Sequence, residues 1–562
     1  MRLFFSVLAL LATHVAYAQA PVLTNLSPVR NALAVPTTSP VVLTFSQALD
    51  SASASGASIS VYSHQRGGLL TRAGGGGSFS GGGTNTISFA PAAGFQPGEV
   101  LNVTVTRGAV GLSGDTLVAP HVYQFTAATT PGNGGGTFGG GYEVTTDMLP
   151  YGVALADIDG DGDVDLLVAT GADSVNVRLN DGSGHFTRGD DSTVVSSAYA
   201  IAAGDMDGDG DLDRMVARGG IGALRLQLND GTGHFSDQGL YALDEYVTSV
   251  IPVDLDGNGT LDIVAANNNS NHSSGVWAGL NDGTGVFQAT PYIQAISRAM
   301  YVLPADVDND GDVDLLAAHN DWNYLTVAHN DGHLNFTAMA LIQVGNGPRS
   351  LATADIDADG DLDLLAALDG CGAVLVLRNN GAGVFSRTDS LVVGSMPFCL
   401  TMGDLDGDGD ADLLTTRLVT PGQVAVHLND GTGSFTAVAS VTVGAEPYTA
   451  AVADIDGDGD LDLLTANRMD GTVSVRLNQS VVTGLPARRG TDLTLAPNPA
   501  THTVRLTGAP AGPGYLLDVL ARPIRTFTSA GGQSETILDL TGISSGIYTV
   551  RAGALIRKLI VD

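Results

Sequence analysis

Lysine is almost missing from this 562-residue chain: the single one is Lys558, near the C-terminal end. Schiff-base and P-loop chemistry, which need a lysine, are therefore excluded from the rest of the chain. Cysteine is scarce too. Cys371 and Cys399 are the only two, too few for a disulfide scaffold or a thiolate zinc site. Charged residues make up 15% and aromatic residues 6%. The charge is one-sided, with 25 basic against 59 acidic side chains and a net −34. That excludes nucleic acid or anionic lipid as an electrostatic partner and favours cations or neutral partners. No later apolar run approaches the roughly 20 residues that span a bilayer, so no transmembrane segment is expected. What the chain does have is 44% hydrophobic residues and 74 glycines, the composition of short strands joined by many tight turns.

The first 18 residues read as an address. Arg2 gives a positive start, Leu3 to Ala12 is apolar, and Ala16-Tyr17-Ala18 fits a small-x-small cleavage site. The mature protein is expected to be secreted or held at the cell surface. Residues 21–128 alternate strand patterns with turns, most clearly Val41-Val42-Leu43-Thr44-Phe45, Thr86-Ile87-Ser88-Phe89 and Leu101-Asn102-Val103-Thr104-Val105. The glycine run from Gly74 to Gly83 reads as a hairpin tip rather than a phosphate loop, since no lysine or helix start follows it. Residues 129–137 form a glycine-rich linker, expected to keep two cores apart.

The middle of the chain holds seven acidic loops of nine residues. Their acidic and substituting positions are Asp157, Asp159, Asp161, Asp163 and Asp165; Asp205, Asp207, Asp209, Asp211 and Asp213; Asp254, Asp256, Asn258, Thr260 and Asp262; Asp306, Asp308, Asp310, Asp312 and Asp314; Asp355, Asp357, Asp359, Asp361 and Asp363; Asp404, Asp406, Asp408, Asp410 and Asp412; Asp454, Asp456, Asp458, Asp460 and Asp462. Successive first aspartates lie 48, 49, 52, 49, 49 and 50 residues apart, the period of units too small to bury a core alone. These windows hold 33 aspartates, nearly the whole net charge. Oxygens at positions 1, 3 and 5 of such a loop converge, position 6 is always glycine, position 7 can offer its carbonyl, and position 9 returns a carboxylate. Hard oxygens in a tight loop suit Ca²⁺, up to seven ions. Without a cation the carboxylates repel and their pKa values rise. Position 12 carries Val168, Val216, Ala265, Ala317, Ala366, Thr415 or Thr465, never the glutamate of an EF-hand. With three acids, the third loop is expected to bind most weakly.

A second register, Asn-Asp-Gly-Thr-Gly-x-Phe or a variant, ends at Phe186, Phe235, Phe287, Phe336, Phe385 and Phe435. It marks a tight turn between strands. Each of these phenylalanines precedes the next first aspartate by 19 residues, and Phe138 precedes Asp157 by the same 19. The last unit breaks off at Asn478 with no such strand after it. Each unit therefore reads strand, acidic loop, strand, hairpin, strand, turn, strand, and the N-terminal strand near Phe138 completes the last one. The expectation is an all-β chain built on a seven-bladed β-propeller, closed so that no sheet edge is left open.

These loops and turns, over residues 138–478, resemble FG-GAP/VCBS repeats, the calcium-loop propellers related to integrin α-subunit heads. The resemblance implies ligands at loop positions 1, 3, 5 and 9 plus the carbonyl of 7, and partners on the opposite face. Six residues before each first aspartate stand Tyr151, Tyr199, Thr248, Met300, Arg349, Phe398 and Tyr448, expected to ring the channel mouth on that face. Trp322 and Tyr324 lie in one of the hairpins there, and the stretch Asn267 to His272 in another. Tyr151, Tyr199, Arg349, Phe398, Tyr448, Trp322 and Tyr324 are the candidate ligand contacts, against the simpler reading that most of these rings only pack the channel entrance. Cys371 and Cys399 fall on that same face of adjacent units. Export permits oxidation, so a disulfide is the expectation, against two unlinked small hydrophobes.

Residues 21–128 resemble a bacterial Ig-like domain, on Ser27-Pro28, Thr44-Phe45-Ser46, Phe89-Ala90-Pro91 and Tyr123-Gln124-Phe125-Thr126. After a linker at 479–490, residues 491–562 resemble a small β-sandwich, the C-terminal sorting domain of type IX secretion. The resemblance rests on Ala496-Pro497-Asn498-Pro499, Leu516-Leu517-Asp518-Val519-Leu520, Leu538-Asp539-Leu540, Ser545-Gly546-Ile547-Tyr548-Thr549-Val550 and Lys558-Leu559-Ile560-Val561, with Ala521 where the family has glycine. It implies the type IX machinery as a partner and passage across an outer membrane. Two function classes follow: a calcium-stabilised binding or adhesion module for an extracellular glycan or protein, or a secreted lyase-like enzyme on polysaccharide. The sequence presents no catalytic constellation, and the paired carboxylates are accounted for by metal.

Overall fold

The computed structural model describes residues 20–480 apart from 67, 73–75, 131–133, 195–196, 220–221, 244–245, 269–274 and 291–292. Of the rest it describes 494–496, 500, 502–507, 512–517, 523–529, 536–544, 546–552 and 555–561. The expected signal segment 1–18, the linker core 131–133, most of the linker 479–490, the hairpin residues 269–272 and several C-terminal blocks lie outside the described residues. Two compact units are present, Met1–Ser480 and Val481–Asp562.

Seven antiparallel sheets, among the described residues, follow one another between residues 134 and 480. The first has strands Pro150–Ala156, Asp165–Thr170, Ser174–Asn180 and Phe186–Arg188, and the others repeat its order. The acidic loop joins the first strand to the second, and the Asn-Asp-Gly turn joins the third to the fourth. The seven first strands contact one another in chain order, and Pro447–Ala453 contacts Pro150–Ala156 to close the ring. The last sheet is completed from the other end of the chain. Thr472–Ser480 pairs antiparallel with Gly134–Thr145, placing Asn478 opposite Phe138. That is the register Asn180 keeps with Phe186 inside the first sheet.

The uninterrupted Leu-Leu-Val-Ala character of the second strands follows from this arrangement. Side chains alternate between faces, and both faces are covered. Leu166 and Val168 pack with Leu464, Val473 and Val475 of the seventh sheet. Leu167 and Ala169 pack with Ile201 and Val216 of the second. All four are fully buried, each leucine or valine contributing roughly 1.5–3 kcal/mol.

The N-terminal region is a sandwich. One sheet is Leu23–Ser27, Val41–Phe45, Thr86–Pro91 and Gly77–Ser80; the other is Gly68–Leu69, Ile59–Ser63, Val100–Val105 and His121–Thr126. Phe45, Phe89, Phe125 and Leu101 lie in the core between them. The expectation that a linker holds this core apart from the ring is corrected by the structure. Tyr62 of the sandwich is buried with Met206, Leu261 and Ile263 of the second and third sheets. Val122 is buried with Leu255, Val302 and Val313 of the third and fourth. The sandwich seats on the acidic-loop face because its own apolar side chains are covered there.

The C-terminal unit has a three-stranded sheet, Thr494–Ala496, Thr503–Thr507 and Thr536–Asp539, and a four-stranded one, Pro523–Ser529, Gly512–Leu517, Gly546–Ala552 and Leu555–Val561. Val504, Leu516, Leu538, Val550 and Leu559 form its core. Among the described residues no helix is long and apolar enough to cross a membrane.

Candidate metal loops and the opposite face

Each acidic loop is a turn held by its own carboxylates. The position-6 glycines Gly162, Gly210, Gly259, Gly311, Gly360, Gly409 and Gly459 have φ between +93° and +99°, the left-handed backbone that glycine adopts without steric cost. Position 4 is also left-handed: Gly160, Gly208, Gly257, Gly407 and Gly457 supply it in five loops, but Asn309 (φ +64°) and Ala358 (φ +59°) in two. The position-1 carboxylate caps the turn, as Asp157 does by accepting from Gly160 N at 2.9 Å and Gly162 N at 3.1 Å. The position-9 carboxylate accepts from the backbone N–H of the following Asn-Asp-Gly asparagine, 2.7 Å for Asp165 from Asn180 and 2.9 Å for Asp213 from Asn229. Position-7 side chains such as Asp163 and Asp211 lean against Gly182 and Gly231 of the next turn, in keeping with a backbone role there.

Positions 1, 3 and 9 converge. Asp157, Asp159 and Asp165 bring one oxygen each within 4.8 Å of the others, as do Asp205, Asp207 and Asp213, and Asp254, Asp256 and Asp262; Asp306, Asp308 and Asp310 also cluster. Burial raises the position-9 carboxyls from 3.8 to about 7 for Asp165 and about 8 for Asp213, Asp262, Asp314, Asp412 and Asp462. Neighbouring aspartates add to the shift. Asp157 and Asp205 are pushed up to about 6, Asp254 and Asp306 to about 7, again mainly by burial. Buried oxygens Asp159 Oδ1, Asp205 Oδ2, Asp306 Oδ1 and Asp406 Oδ1 have no hydrogen-bond partner. An all-oxygen donor set with orphaned buried carboxylate oxygens fits a hard dication.

The Asn-Asp-Gly asparagines do more than turn the chain. Asn229 Nδ2 donates to Leu212 O in its own repeat at 3.2 Å and to Ile158 O in the preceding one at 2.7 Å. Asn281 reaches Met206 O, Asn379 reaches Val307 O, and Asn478 reaches Leu405 O, each at 2.7 Å. Asn180 reaches Ile455 O at 2.8 Å and so ties the first sheet to the last. The readable signal was that asparagine, never another turn residue, opens the register in every repeat.

The sandwich and the first linker residues after it together touch all seven loops. Asp157 N donates to Gln65 O at 2.8 Å, Val122 N to Gly311 O at 2.7 Å and Thr130 N to Gly459 O at 2.9 Å. Thr104 Oγ1 donates to Asp254 Oδ2 at 2.6 Å, Asn31 Nδ2 to Gly360 O at 3.0 Å, and Thr129 Oγ1 to Asp404 Oδ2 at 2.5 Å. Arg72 donates to Asp209 O. Arg30 lies 3.5 Å from Asp306.

The opposite face is aromatic. Tyr151 stacks on Tyr199 with centroids 4.5 Å apart and meets Tyr448 edge-on at 4.9 Å. Tyr448 contacts Phe398 at 4.2 Å, and the Arg349 guanidinium lies 4.7 Å over Phe398. Arg349 also pairs with Asp369 at 2.5 Å. Tyr199, Thr248, Met300, Arg349, Phe398 and Tyr448 line one cavity of about 200 Å³, so the expected ring is assembled. Arg468, 6.0 Å over Tyr151, joins it, a residue the sequence did not single out because it lies on a hairpin outside the six-residue offset. Trp322 and Tyr324 form a different cluster, stacked at 5.7 Å with Arg298 over Trp322 at 5.1 Å. The expected disulfide is corrected: Cys371 and Cys399 are both free thiols. Cys399 is on a first strand lining the cavity, whereas Cys371 sits exposed in a hairpin. His185 stacks on Tyr142 at 5.6 Å, and His234 sits exposed, 3.0 Å from Asp190.

The two matching families agree with this geometry. Residues 18–127 match the bacterial Ig-like domain. Among curated proteins none matches the chain. Among solved structures, BBS1N in complex with ARL6DN, soaked with mercury, is 13% identical, with 61% of this chain and 98% of that one covered and a TM-score of 0.45. A putative 6-phosphogluconolactonase from Bacteroides uniformis is 15% identical, with 61% and 94% covered and a TM-score of 0.38. The FG-GAP-like repeat matches at 157–216, 205–265, 254–317, 306–366, 359–415 and 417–465. Those spans take in more than half of the chain, which belongs to the FG-GAP-like repeat family.

Proposed function

We propose that this protein is a calcium-loaded extracellular binding module whose ligand, a neutral glycan or a protein segment, seats at the channel mouth opposite the acidic loops. The observation that carries the reading is the cavity walled by Tyr199, Phe398, Tyr448 and Arg349. It lies at the end of the ring away from the sandwich. Stacked rings beside polar groups suit sugar faces and peptide side chains. Arg349 is already paired with Asp369, which supports stacking and hydrogen bonding over acid–base catalysis. Ca²⁺ at the loops supplies charge neutralisation: positions 1, 3 and 9 would hold it, and the ring they close positions the mouth. Residues 1–18 and 491–562 we read as export and type IX sorting segments, on their motif order. Deletion of 491–562 should then leave the protein in the periplasm. The test of the central reading is a glycan and peptide array probed with the full chain. Binding is expected in Ca²⁺, lost with Tyr199→Ala and Phe398→Ala. Equal binding by those variants overturns the site.

A further inference from the structure

Among the described residues, six of the acidic loops close in one way and the fifth in another. In the six, Oδ2 of the position-9 aspartate accepts the N–H of position 2. Asp165 accepts from Ile158 at 2.9 Å, Asp412 from Leu405 at 2.8 Å, and Asp462 from Ile455 at 3.2 Å. In the fifth, Asp363 Oδ2 accepts instead from Arg378 Nη1 at 3.1 Å. The same nitrogen pairs with Asp357 Oδ2 at position 3. Nη2 of Arg378 donates to Thr432 O at 2.7 Å, in the turn of the next repeat, so the guanidinium is anchored on both sides.

The residue is set apart by its register. Arg378 stands immediately before the Asn-Asp-Gly asparagine, where the other repeats carry Leu179, Leu228, Leu280, His329, Leu428 and Leu477. That position points beside the position-3 aspartate in other repeats too. Leu477 and Asp456 lie together against Gly184, and Leu179 and Asp159 against Gly233. An apolar side chain there, as in five repeats, leaves the carboxylates to an external cation; His329 of the fourth lies 2.8 Å from Asp308 and 3.6 Å from Asp314, an imidazole rather than a permanent cation. A guanidinium there is a permanent charge whose fork matches two carboxylates. Asp357 Oδ1 has no protein partner, so the fifth loop does not lack oxygens. It differs in having a guanidinium that bridges positions 3 and 9, against which a dication would be repelled; Arg30 of the sandwich reaches only the position-1 Asp306 of the fourth loop, at 3.5 Å.

We propose that the fifth loop carries its counter-ion covalently: the Arg378 guanidinium takes the neutralising place that Ca²⁺ takes in the other loops, and this loop stays closed without the ion. The expectation that the third loop is the weakest thereby passes to the fifth. The inference rests on Ca²⁺ loading of the other loops. It is tested by counting Ca²⁺ per full chain, by native mass spectrometry of metal-free protein titrated with CaCl₂. Arg378→Leu is expected to bind one ion more than the wild-type chain, and Leu179→Arg, which transplants the device into the first repeat, one ion fewer. Unchanged counts in both variants overturn the proposal. Should Arg378→Leu fail to fold, Leu179→Arg decides alone, a lost ion supporting it and a full count overturning it. If the wild-type chain binds no Ca²⁺, the loading itself fails and the proposal falls with it.

Discussion

The two ends of the ring are built by the same seven repeats and could hardly differ more. At the loop end every repeat presents nearly the same nine residues, with charge concentrated in turns that the sandwich covers. At the other end the equivalent positions carry Tyr151, Tyr199, Thr248, Met300, Arg349, Phe398 and Tyr448, and part of them line an open cavity. The loop end answers one demand seven times, closing a turn around buried carboxylates, and that demand admits few residues. The mouth has no such demand, so its residues are free to differ, which is what the proposed recognition would require. The contrast separates what holds the ring from what the ring displays.

The strongest way to break the comparison is to remove the cation. On the proposed loading, each ion bound at a hundredfold excess over its Kd contributes about 2.7 kcal/mol, so chelation should lower the Tm sharply. An unchanged melting curve in excess chelator refutes the role given to the loops.

Next in size is the closing strand. Deleting residues 137–146 removes the partner of Thr472–Ser480 and leaves an open edge. Hydrogen exchange at Val473 to Leu477 should lose protection. Intact protection there, with exposure confined to Ala154 to Val168, contradicts the closure. Deleting the sandwich through Thr130 should also destabilise the ring, because it uncovers the seats of Tyr62 and Val122. A variant as stable as the full chain would restore the picture of two independent cores.

Asn229→Ala should cost about 2–4 kcal/mol, since it leaves two buried carbonyls without a donor. A loss below about 1 kcal/mol in chemical denaturation would demote the asparagine to a turn residue.

Acidity sharpens the contrast with a sign. Burial raises the position-9 carboxyls to about 8 in the folded chain, as for Asp213, Asp262 and Asp462, against an ordinary 3.8. The metal-free folded state therefore binds more protons than the unfolded one over that interval. This contribution is fully present below about 3.8 and lost as pH rises through about 8. In metal-free buffer the Tm should climb from pH 8 to pH 6.5. With Ca²⁺ the trend should flatten or reverse, because protons then compete with the ion. The same slope with and without Ca²⁺ counts against cation loading.

The smallest stability effect belongs to the mouth. Tyr199→Ala should abolish ligand capture while shifting stability by no more than about 2 kcal/mol, the scale of a partly exposed ring stack. Unfolding on that substitution would make the rings packing rather than recognition.

Much of the ring was legible because repetition exposes it. The 48- to 52-residue spacing, the glycine at position 6 and the 19-residue offset at Phe138 led to the loops, the strand order and the closing strand. The roles of Asn180 and Asn229 between repeats were not legible, because a turn motif explains an asparagine without any neighbour. Nor was Arg378: a single arginine among leucines has no meaning until the side chain is seen to reach Asp357 and Asp363. Cys371 and Cys399 share a face by register, but one is exposed in a hairpin and the other lines the cavity.

By itself the sequence determined the local and periodic facts: acidic turns that gather carboxylates, strands buried on both faces, and a unit repeated until its ends meet. Those are set by residues near one another in the chain. Only the tertiary structure decided that the N-terminal sandwich seats on the loop face, that the asparagines bridge repeats, and that one loop holds an arginine. Each of these depends on side chains brought together from distant segments, where complementarity of shape and charge, not periodicity, makes the choice.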